Sequence, residues 1–288
     1  MSSEIIESRL AEYQLTSPEE EWGAIREIVQ ELALAALSQS GLFKYAAFQG
    51  GTCLRILYGL QRFSEDLDFA LFKEDLQFAW EKYASSMAKE FTAFGLDVQF
   101  QDRTQISSTM KTAFIKQDSI GKVLTFQFAR TRAQTQTIRI KLEVDSRPPE
   151  GAVHETKMID FPYPCAVTVH DLPSLFAGKC NALLCRNYVK GRDYFDLLWY
   201  LRRNTPMNLI LLQNGLRQIG PWQGTQIRID MPWVMQHLKQ VVEKTDFALV
   251  ISDVKRFLKP IEARGLEHWG SQYFLDQIAK YETHIQLQ

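Results

Sequence analysis

The sequence predicts an α+β fold with a mixed β-sheet, and three observations predict it. Between residues 44 and 95, short apolar strand segments alternate with amphipathic helical segments. Between residues 96 and 146, β-branched and aromatic residues alternate with polar ones, which indicates strands. From Leu172 onward, strand signals nearly vanish and helical patterns follow one another. Strands followed by a run of helices are typical of α+β proteins.

These patterns divide the chain into three predicted parts. Residues 1–43 form an N-terminal helical segment, residues 44–171 an α+β core, and residues 172–288 a C-terminal helical domain. The first part is predicted to be helical from residue 3 to about residue 42. Ser17 and Pro18 supply a helix cap and a first-turn proline, and Gly41 is a plausible stop.

The core is predicted to open with two strands and two helices in alternation. "KYAAFQ" is a short buried strand, "TCLRILYGL" a helix, "DLDFALF" a strand, and "EDLQFAWEKYASSMAKEFTAFG" a long amphipathic helix. Four further strands are predicted at "LDVQFQ", "STMKTAFIKQ", "KVLTFQFAR" and "QTIRIKLEVDS". Prolines between residues 148 and 164 then indicate an extended connection to a last strand, "CAVTVHDL".

The C-terminal domain is predicted to consist of helices alone. Four segments have helical patterns: "LPSLFAGKCNALLCR", "KGRDYFDLLWYLRR", "PWVMQHLKQVVEK" and "HWGSQYFLDQIAKYETHIQ".

Composition excludes several classes of protein. A formal net charge of -1 over 288 residues gives no global signal for nucleic-acid binding. The acidic N-terminus lacks the layout of a signal peptide, and no apolar run approaches the roughly 20 residues that span a bilayer. The four cysteines have no zinc-type spacing and are expected to be reduced thiols. We therefore expect a cytoplasmic protein without a membrane partner.

A Gly-Gly-Thr turn is the first candidate for chemistry. Gly50 and Gly51 lie between a strand and a helix, where backbone N–H groups can converge on phosphate oxygens without a Cβ in the way. The helix start and the Thr52 hydroxyl would add further donors. Such turns also need glycine for steric reasons alone, and the segment is neither a Walker loop nor a dinucleotide fingerprint.

An acidic pair follows the turn. Asp66 and Asp68 are two residues apart on a strand, so their side chains share a face while Leu67 and Phe69 pack inward. Two carboxylates that project together favour a divalent cation such as Mg²⁺ between them, with Mn²⁺ as the alternative ion. The competing interpretation is a solvent-facing strand with unrelated acids. Ser64, just before the pair, would cap the turn or bind phosphate.

A third carboxylate is expected on a neighbouring strand. In "TIRIKLEVDS", Glu143 and Asp145 share a face with Lys141, and the sequence leaves open which of the two acids joins the pair. An ordinary half-exposed strand is the alternative. Three carboxylates could hold two metal ions about 3.5–4 Å apart and orient a triphosphate for in-line displacement at its α-phosphorus.

The last constellation lies on two predicted helices. Lys179 lies in the otherwise apolar "LFAGKCNALL" and shares a helix face with Arg186. Asp193 and Asp196 share a face of the next helix. One interpretation is a surface lattice of ion pairs, and the other is that Lys179 reaches a triphosphate while the acids position it.

Together these motifs resemble the AbiEii/AbiGii nucleotidyltransferase toxins of the DNA polymerase β-like superfamily. The resemblance rests on "GGTCLRILYGLQRFSEDLDF", "IKLEVD", "LFAGKCNALLCR" and "KGRDYFDL", and covers about residues 44 to 203. It implies a polymerase β-like core, nucleotide transfer from an NTP to an acceptor such as tRNA, and a cognate antitoxin partner.

The resemblance also implies roles for single residues. Gly51 and Thr52 match a turn that contacts nucleotide phosphates, and Asp66 and Asp68 match a metal-binding Asp-x-Asp. Lys141 and Glu143 match a Lys-x-Glu strand motif, with Glu143 at the acidic position. Lys179 matches a lysine implied in nucleotide binding and catalysis. Asp193 and Asp196 match a closing Asp-x-x-Asp, of which Asp196 is expected to be catalytic.

One stretch of the chain could bind RNA. Residues 101–141 contain eight basic residues against two acidic ones, a local net charge of +6. The basic residues are Arg103, Lys111, Lys116, Lys122, Arg130, Arg132, Arg139 and Lys141. A solvated sheet face with lysines that guard an edge is the alternative. Phe114 and Phe126 are expected in the core rather than in base stacking.

Two other functions stay open from sequence. A nucleotidyltransferase that modifies a small molecule, a protein or itself would use the same core but would not depend on the basic stretch. A non-catalytic nucleotide-binding module would bind NTP and Mg²⁺ without forming a product.

Overall fold

The computed structural model describes residues 2–103, 108–117 and 138–286. Its residues form two compact units, which we call the sheet unit and the helical unit. The sheet unit comprises Met1–Gly59, Phe63–Pro148 and Glu155–Val169, and the helical unit comprises Leu60–Arg62, Pro149–His154 and His170–Gln288. Each unit is described by itself below.

The described residues of the sheet unit include four α-helices. They are α1 (Ser2–Ala11), α2 (Pro18–Gln39), α3 (Gly50–Tyr58) and α4 (Glu81–Ala93). The helix α2 begins at the predicted cap, where the Ser17 side chain accepts a hydrogen bond from the Glu20 amide. Gly59 ends α3 in the left-handed conformation, with φ of 72°.

In the part of the chain that the structure describes, the sheet has seven strands in the order β3-β4-β5-β2-β1-β7-β6. The strands are β1 (Ala46–Gln49), β2 (Asp66–Leu71), β3 (Val98–Asp102), β4 (Met110–Gln117), β5 (Ile138–Asp145), β6 (His154–Ile159) and β7 (Cys165–His170). β2 pairs with β5 in parallel and with β1 in antiparallel fashion. The sheet is therefore mixed, which confirms the α+β fold class.

The core of the sheet unit follows the period-2 pattern of its strands. Ile138, Ile140, Leu142 and Val144 of β5 have no exposed surface. The rings of Phe48 and Phe69 lie with centroids 5.4 Å apart, and Trp80 packs edge-on against Phe69 at 5.9 Å. This apolar face fixes the register, so the opposite face of β2 and β5 carries the polar residues.

Two predictions about the elements of the core were wrong. The long helix predicted from residue 74 begins only at Glu81, because Phe78 and Trp80 insert into the core. The Trp80 indole donates to the Lys111 carbonyl at 3.0 Å, and its amide donates to Asp102 Oδ2 at 3.1 Å. The strand β6 was missed in a stretch interpreted as an extended connection. The predicted strand "KVLTFQFAR" lies outside the described residues.

Seven α-helices form the described part of the helical unit. They are α5 (Leu172–Cys185), α6 (Gly191–Arg202), α7 (Leu209–Gln218), α8 (Met231–Glu243), α9 (Phe247–Lys255), α10 (Pro260–Ala263) and α11 (Ser271–Gln286). The sequence predicted α5, α6, α8 and α11 and missed α7, α9 and α10. All three missed helices are short, at 10, 9 and 4 residues, which gives little room for a clear period.

Glycine at residue 191 lets α6 and α9 approach closely. A Cβ built on Gly191 would lie 2.1 Å from the Val250 carbonyl oxygen, and the Gly191 amide donates to Asp253 Oδ2 at 2.8 Å. The start of α6 is thus held in place by backbone contact. This helix carries Asp193 and Asp196.

Two expectations from composition can be compared with the structure. All four cysteines are free thiols, and Cys53, Cys165 and Cys180 are buried. Among residues 2–103, 108–117 and 138–286, no helix is both long enough and apolar enough to cross a bilayer.

Candidate active site

The acidic pair lies on β2 as the alternation predicted. Asp66 and Asp68 are partly exposed, whereas Leu67 and Phe69 between and beside them are buried, at 0% and 1% exposure. Residues two apart on a strand are roughly 6–7 Å apart and project from one face. The two carboxylates therefore stand on the polar face of the central part of the sheet.

The neighbouring strand β5 places two further charged groups beside this pair. In the parallel register, Asp66 lies opposite Lys141 and Asp68 lies opposite Glu143. Adjacent strands are about 4.8 Å apart, so the four side chains occupy the corners of one small patch. This patch is formed by three carboxylates and one ammonium group.

The register distinguishes between the two candidate third carboxylates. Glu143 is opposite Asp68, whereas Asp145 is opposite Ala70, which lies two residues beyond Asp68. Asp145 Oδ1 accepts from the Arg147 amide at 2.9 Å, and burial raises the pKa of Asp145 above its ordinary value. Glu143 is therefore the better-placed acid. Its Oε1 lies 2.7 Å from Lys141 Nζ in a half-exposed ion pair.

The glycine turn packs directly against the acidic pair. Gly50 begins α3 with φ of +78°, and a Cβ built on it would lie 2.4 Å from Asp68 Oδ2. Gln49, which precedes it, is the register partner of Asp68 on β1. Only glycine fits this position, both for its backbone conformation and for its closeness to the carboxylate. The turn and the aspartate thus form one local structure.

The first turn of α3 has no side-chain cap. Gln49 occupies the N-cap position, but its amide group donates instead to the Phe69 carbonyl oxygen at 3.3 Å. The N–H groups of a helix start are good donors for an anion. Gly51 lies in this first turn, as predicted from sequence.

The hydroxyl of Thr52 has a structural partner. It is fully buried, and its Oγ1 donates a short hydrogen bond to the Asp66 carbonyl oxygen. The hydroxyl proton is thereby used inside the protein, contrary to the expectation that it would be donated to a phosphate. Thr52 instead ties the helix to the strand that carries the acidic pair.

The residues before β2 also make local contacts. The Ser64 carbonyl oxygen accepts from Gln30 Nε2 at 3.3 Å. Glu65 forms an ion pair with Arg26 at 3.0 Å. The contacts of Glu65 and of the Ser64 backbone thus anchor the segment to α2.

We next ask whether the acidic patch suits Mg²⁺. Among the residues that the structure describes, no group of three or more His, Cys, Asp or Glu side chains converges as a preformed metal cage. Magnesium does not require one, since it is commonly bound by one or two carboxylates together with substrate phosphates and water. Two carboxylates on one face, beside an uncapped helix start, provide hard oxygen ligands of this kind. The donor set therefore fits Mg²⁺.

A second group of predicted residues forms a buried ion cluster in the helical unit. Lys179 Nζ lies 2.8 Å from Asp193 Oδ1 and 2.8 Å from Asp196 Oδ2. Arg62 donates two hydrogen bonds to Asp196, of 2.6 and 2.7 Å. Arg186 contacts Oδ2 of Asp193. We call these five residues the ion cluster.

The ion cluster is not the surface lattice that one interpretation of the sequence suggested. Asp193 and Asp196 are 3% and 0% exposed, and Arg62 is 2% exposed. Only the side chain of Lys179, 13% exposed, and that of Arg186, 23% exposed, reach the surface to any extent. In such surroundings an unpaired charge is very unfavourable, so each buried charge requires at least one partner of opposite sign.

Protonation in the ion cluster is fixed by its charges. Burial would raise the pKa of both aspartates, but Lys179 and Arg186 hold the pKa of Asp193 below its ordinary value, and Arg62 and Lys179 do so for Asp196. Burial would likewise lower the pKa of Lys179, but the two aspartates outweigh it and raise that pKa. Both aspartates and Lys179 are therefore charged at neutral pH. Together with the guanidinium groups of Arg62 and Arg186, the cluster contains three basic side chains against two acidic ones.

Arg62 is the site-related residue to which the sequence analysis gave no role. It lies in "LQRFSEDLDF" between the end of α3 and the acidic strand, where a charged residue has no evident reason to be buried. The signal that could have found it lies elsewhere. Asp196 stands in the apolar stretch "DYFDLLWYL", and a buried carboxylate requires a buried cation from another segment.

The predicted site residues thus form two local groups. The sheet unit brings together six of them: Gly50, Gly51, Asp66, Asp68, Lys141 and Glu143, with Thr52 as the link between helix and strand. The helical unit brings together Lys179, Asp193 and Asp196.

The basic stretch is only partly described, and its described residues do not share one face. Lys111 is fully buried on the core side of β4, so it does not contribute to an exposed patch. Lys116 and Arg139 are register partners on the opposite face. Lys122, Arg130 and Arg132, together with Phe126, lie outside the described residues.

Phe114 was wrongly expected in the core. It belongs to the face of β4 that is opposite to the buried Ala113 and Ile115, and it is only partly buried. The Arg139 guanidinium lies 3.8 Å from the centroid of its ring. This arrangement is a cation–π contact on the polar face of the sheet.

Two solved structures have a fold similar to that of this chain. The chain resembles the crystal structure of JHP933 from Helicobacter pylori, with a TM-score of 0.50, 16% identity, and coverage of 93% of this chain and 97% of that one. It also resembles the structure of a presumed nucleotidyltransferase from H. pylori, with a TM-score of 0.50, 16% identity, and coverage of 88% and 95%. At this identity the likeness is one of fold alone.

Sequence comparison identifies the family. No curated protein matches the chain. A family model described as the nucleotidyl transferase AbiEii toxin of a type IV toxin–antitoxin system matches residues 32–276. The match spans most of the 288 residues and confirms the resemblance drawn from the four motifs. This chain belongs to the AbiEii family of nucleotidyl transferase toxins.

Proposed function

We propose that this chain is a Mg²⁺-dependent nucleotidyltransferase that moves a nucleoside monophosphate from an NTP to a hydroxyl of RNA, with tRNA as the favoured acceptor. The observation that carries the proposal is the contact between Gly50 and Asp68, where a Cβ would lie 2.4 Å from the carboxylate oxygen. It joins a phosphate-binding turn and a metal-binding carboxylate in one local structure. A structural turn and an unrelated acid would not need this closeness.

The reaction is a single in-line displacement. The acceptor hydroxyl oxygen forms a bond to the α-phosphorus, the bond from that phosphorus to the bridging β-oxygen breaks, and pyrophosphate leaves. The hydroxyl proton passes to a nearby carboxylate or to water. No oxidation or reduction occurs, and little covalent chemistry is required of the protein beyond positioning and charge stabilisation.

Asp66 and Asp68 are the proposed Mg²⁺ ligands, with Glu143 as the third carboxylate. When bound, the ion would neutralise phosphate charge and lower the energy of the in-line transition state. Glu143 would contribute less to metal binding than the two aspartates, because its Oε1 is already paired with Lys141. The amides of Gly51 and Thr52 at the start of α3 would bind phosphate oxygens.

Lys179 is the proposed cation for the triphosphate, and the charge balance of the ion cluster supports this. Asp196 is paired with Arg62 and Asp193 with Arg186, so each acid keeps an arginine partner without Lys179. The lysine is thus the surplus positive charge of the cluster. Its partial exposure of 13% would allow its ammonium group to meet an anion.

Asp196 and Asp193 are proposed as positioning residues. Asp196 has no exposed surface, and both of its oxygens accept hydrogen bonds from Arg62. It would act through Lys179, by holding the ammonium group in place and keeping it protonated. This interpretation replaces direct participation of Asp196 in the chemistry with an indirect role.

The acceptor and the partner protein are inferred from the family. A toxin of a toxin–antitoxin system is expected to act on an essential cellular molecule and to have a cognate antitoxin. Lys116 and Arg139, paired across β4 and β5, support a phosphate-binding surface on the sheet unit. We therefore place RNA before small molecules and proteins as the acceptor.

The test is to incubate the protein with each α-labelled NTP in turn, with and without total cellular RNA, and to separate the products by size. Labelled RNA in the tRNA range is the expected product, and it should require Mg²⁺ or Mn²⁺. Label found only on the protein would indicate self-modification instead. Binding of NTP without any labelled product would leave a non-catalytic module.

Two variants with matched controls test the assigned residues. Asp68→Asn should lower the rate by more than about 100-fold, because a metal ligand is lost, whereas the exposed Asp160→Asn should not. Lys179→Met should lower it by about 10²–10³-fold, whereas the exposed Lys280→Met should not. Full activity of either site variant would contradict the mechanism.

A further inference from the structure

The helical unit contains a half-open pocket that none of the functions above uses. Its cavity volume is about 510 Å³, within the range of roughly 300–1,000 Å³ typical of small-ligand sites. All of its lining residues belong to the helical unit, and they come from Gln61, α6, α10, α11 and the segment between α10 and α11. We call it the aromatic pocket.

The aromatic pocket is separate from the ion cluster. Phe195, Trp199 and Arg202 line it from positions i, i+4 and i+7 of α6, which form one face of that helix. None of the five residues of the ion cluster is among the residues that line the pocket. Asp193 and Asp196 of the same helix instead contact Lys179. The ion cluster and the pocket thus use different residues of α6.

Aromatic rings form the walls of the pocket and are held by packing. Phe195 and Trp269 are both partly exposed, with ring centroids 6.2 Å apart and planes tilted by 40°. Trp269 also packs edge-on against the buried Phe274 at 5.2 Å. Partly exposed rings that are fixed from behind are suitable platforms for a planar ligand, because little side-chain entropy is lost on stacking.

Two arginines stand at the pocket, and both are exposed. Arg202 donates to the Tyr273 hydroxyl, and the Arg203 guanidinium lies 4.2 Å from the centroid of the Trp199 ring. These contacts orient the two guanidinium groups while leaving further N–H groups for an anion.

The charge of the pocket matches one phosphodiester rather than a triphosphate. Besides Arg202 and Arg203, the lining includes one carboxylate, Glu262, which accepts from the Lys259 amide at 2.8 Å. The two arginines and the one glutamate give the lining a net charge of +1. A triphosphate would bring a much larger negative charge without a compensating lysine or metal site in the lining.

We propose that the aromatic pocket binds one unpaired base of a single-stranded RNA, stacked on Trp269 and Phe195, with the adjoining phosphodiester at Arg202 and Arg203. Aromatic stacking joined to an arginine is a common way in which proteins hold unpaired bases. This inference deepens the proposed function, on which it rests for RNA as the acceptor class.

The test measures binding of a short, unstructured, fluorescein-labelled RNA by anisotropy. Trp269→Leu should raise the dissociation constant for this RNA by about 5- to 150-fold, the usual effect of losing one stacked base. Trp222→Leu, which removes another partly exposed tryptophan of the same unit, should leave it within about twofold. The wild-type protein should bind an abasic oligomer of equal length more weakly by the same factor. Trp269→Leu should not reduce the affinity for this abasic oligomer any further.

The arginines give a second measurement that does not depend on the tryptophan variant folding. Arg202→Gln with Arg203→Gln should reduce the slope of log Kd against log salt by about 0.7 for one lost phosphate contact, and the exposed Arg228→Gln should not. Unchanged RNA affinity in both pocket variants would overturn the proposal. So would a free nucleoside monophosphate that binds as tightly as the oligomer.

The outcome separates this inference from the proposed function. If the wild type labels RNA but the pocket variants bind RNA normally, only the pocket assignment fails. If the pocket variants lose RNA binding but the wild type labels no RNA with any NTP, the pocket stands and the transfer to RNA fails.

Discussion

The pair formed by Arg62 and Asp196 should be the most strongly coupled ion pair in the helical unit. Its two hydrogen bonds are 2.6 and 2.7 Å long, and the two side chains are 2% and 0% exposed. Asp196→Leu alone would leave the Arg62 guanidinium buried without its bidentate partner. We expect a loss of about 3–5 kcal/mol in the free energy of unfolding.

The double variant Arg62→Met/Asp196→Leu should recover much of this loss. It removes both charges and leaves apolar side chains of similar size, and such replacements are often neutral for stability. Lys179 would keep Asp193 as a partner. We therefore expect a coupling energy above about 2 kcal/mol between the two positions.

The assay is urea unfolding followed by tryptophan fluorescence, to which the helical unit contributes four of the six tryptophans. The control is the same cycle on Lys239 and Glu282, an ion pair of 2.6 Å in the same unit whose side chains are 34% and 27% exposed. Its coupling should be below about 1 kcal/mol. Equal coupling energies in the two cycles would refute the reasoning, since burial is the property that distinguishes them.

The sign of the pH dependence gives a further check on this cycle. The folded pKa of Asp196 is held below its unfolded value, chiefly by Arg62 against the opposing effect of burial. The stabilisation is therefore fully present above about pH 4 and is lost as the pH falls through the folded pKa. The coupling energy should be constant near neutrality and should decline only in acid.

Three other predictions concern separate residues. Gly50→Ala should reduce transferase activity by more than about 100-fold, because the new Cβ would displace Asp68. The control is Gly95→Ala, at φ of +76° with nothing within 4 Å, which should cost only about 1–2 kcal/mol in the free energy of unfolding. Thr52→Val should lower the free energy of unfolding by about 1–3 kcal/mol in a urea titration, since the buried Asp66 carbonyl loses a donor; an unchanged midpoint would contradict this. Burial, with a smaller effect of His154, lowers the pKa of His170 to about 4, so the helical unit should lose about 3 kcal/mol between pH 6.5 and 4, and His170→Gln should flatten that decline.

The sequence predicted those parts of the fold that depend on local periodicity. β2 and β5 were found because buried and polar residues alternate over the first four residues of β2 and over all eight of β5, and the apolar face then fixed which acids project together. The start of α4 was missed because Phe78 and Trp80 fit a helical pattern equally well. The position of Trp80 is set by hydrogen bonds to Asp102 and Lys111, which lie more than 20 residues away in sequence, and Phe78 packs edge-on against the Trp80 ring.

The same limit applied to the candidate site. The sequence predicted the candidate residues of each local group but could not predict the contacts between segments. The Thr52 hydroxyl was expected to face a ligand, yet it bonds to the backbone of β2. Arg62 was passed over because its partner Asp196 is 134 residues away. A hydrogen bond of this kind depends on the tertiary fold, and no spacing rule anticipates it.

The composition of the ion cluster would allow Lys179 to serve the proposed reaction without weakening the fold. A lysine that alone neutralised two buried acids could not turn toward a substrate, because both acids would be left unpaired. Here Arg62 and Arg186 each hold one acid, and the two aspartates in turn keep Lys179 charged. Lys179→Met would leave two positive and two negative charges, which still balance. Its expected effect is therefore a large loss of activity with a small change in stability, whereas Asp196→Leu should show a large loss of both.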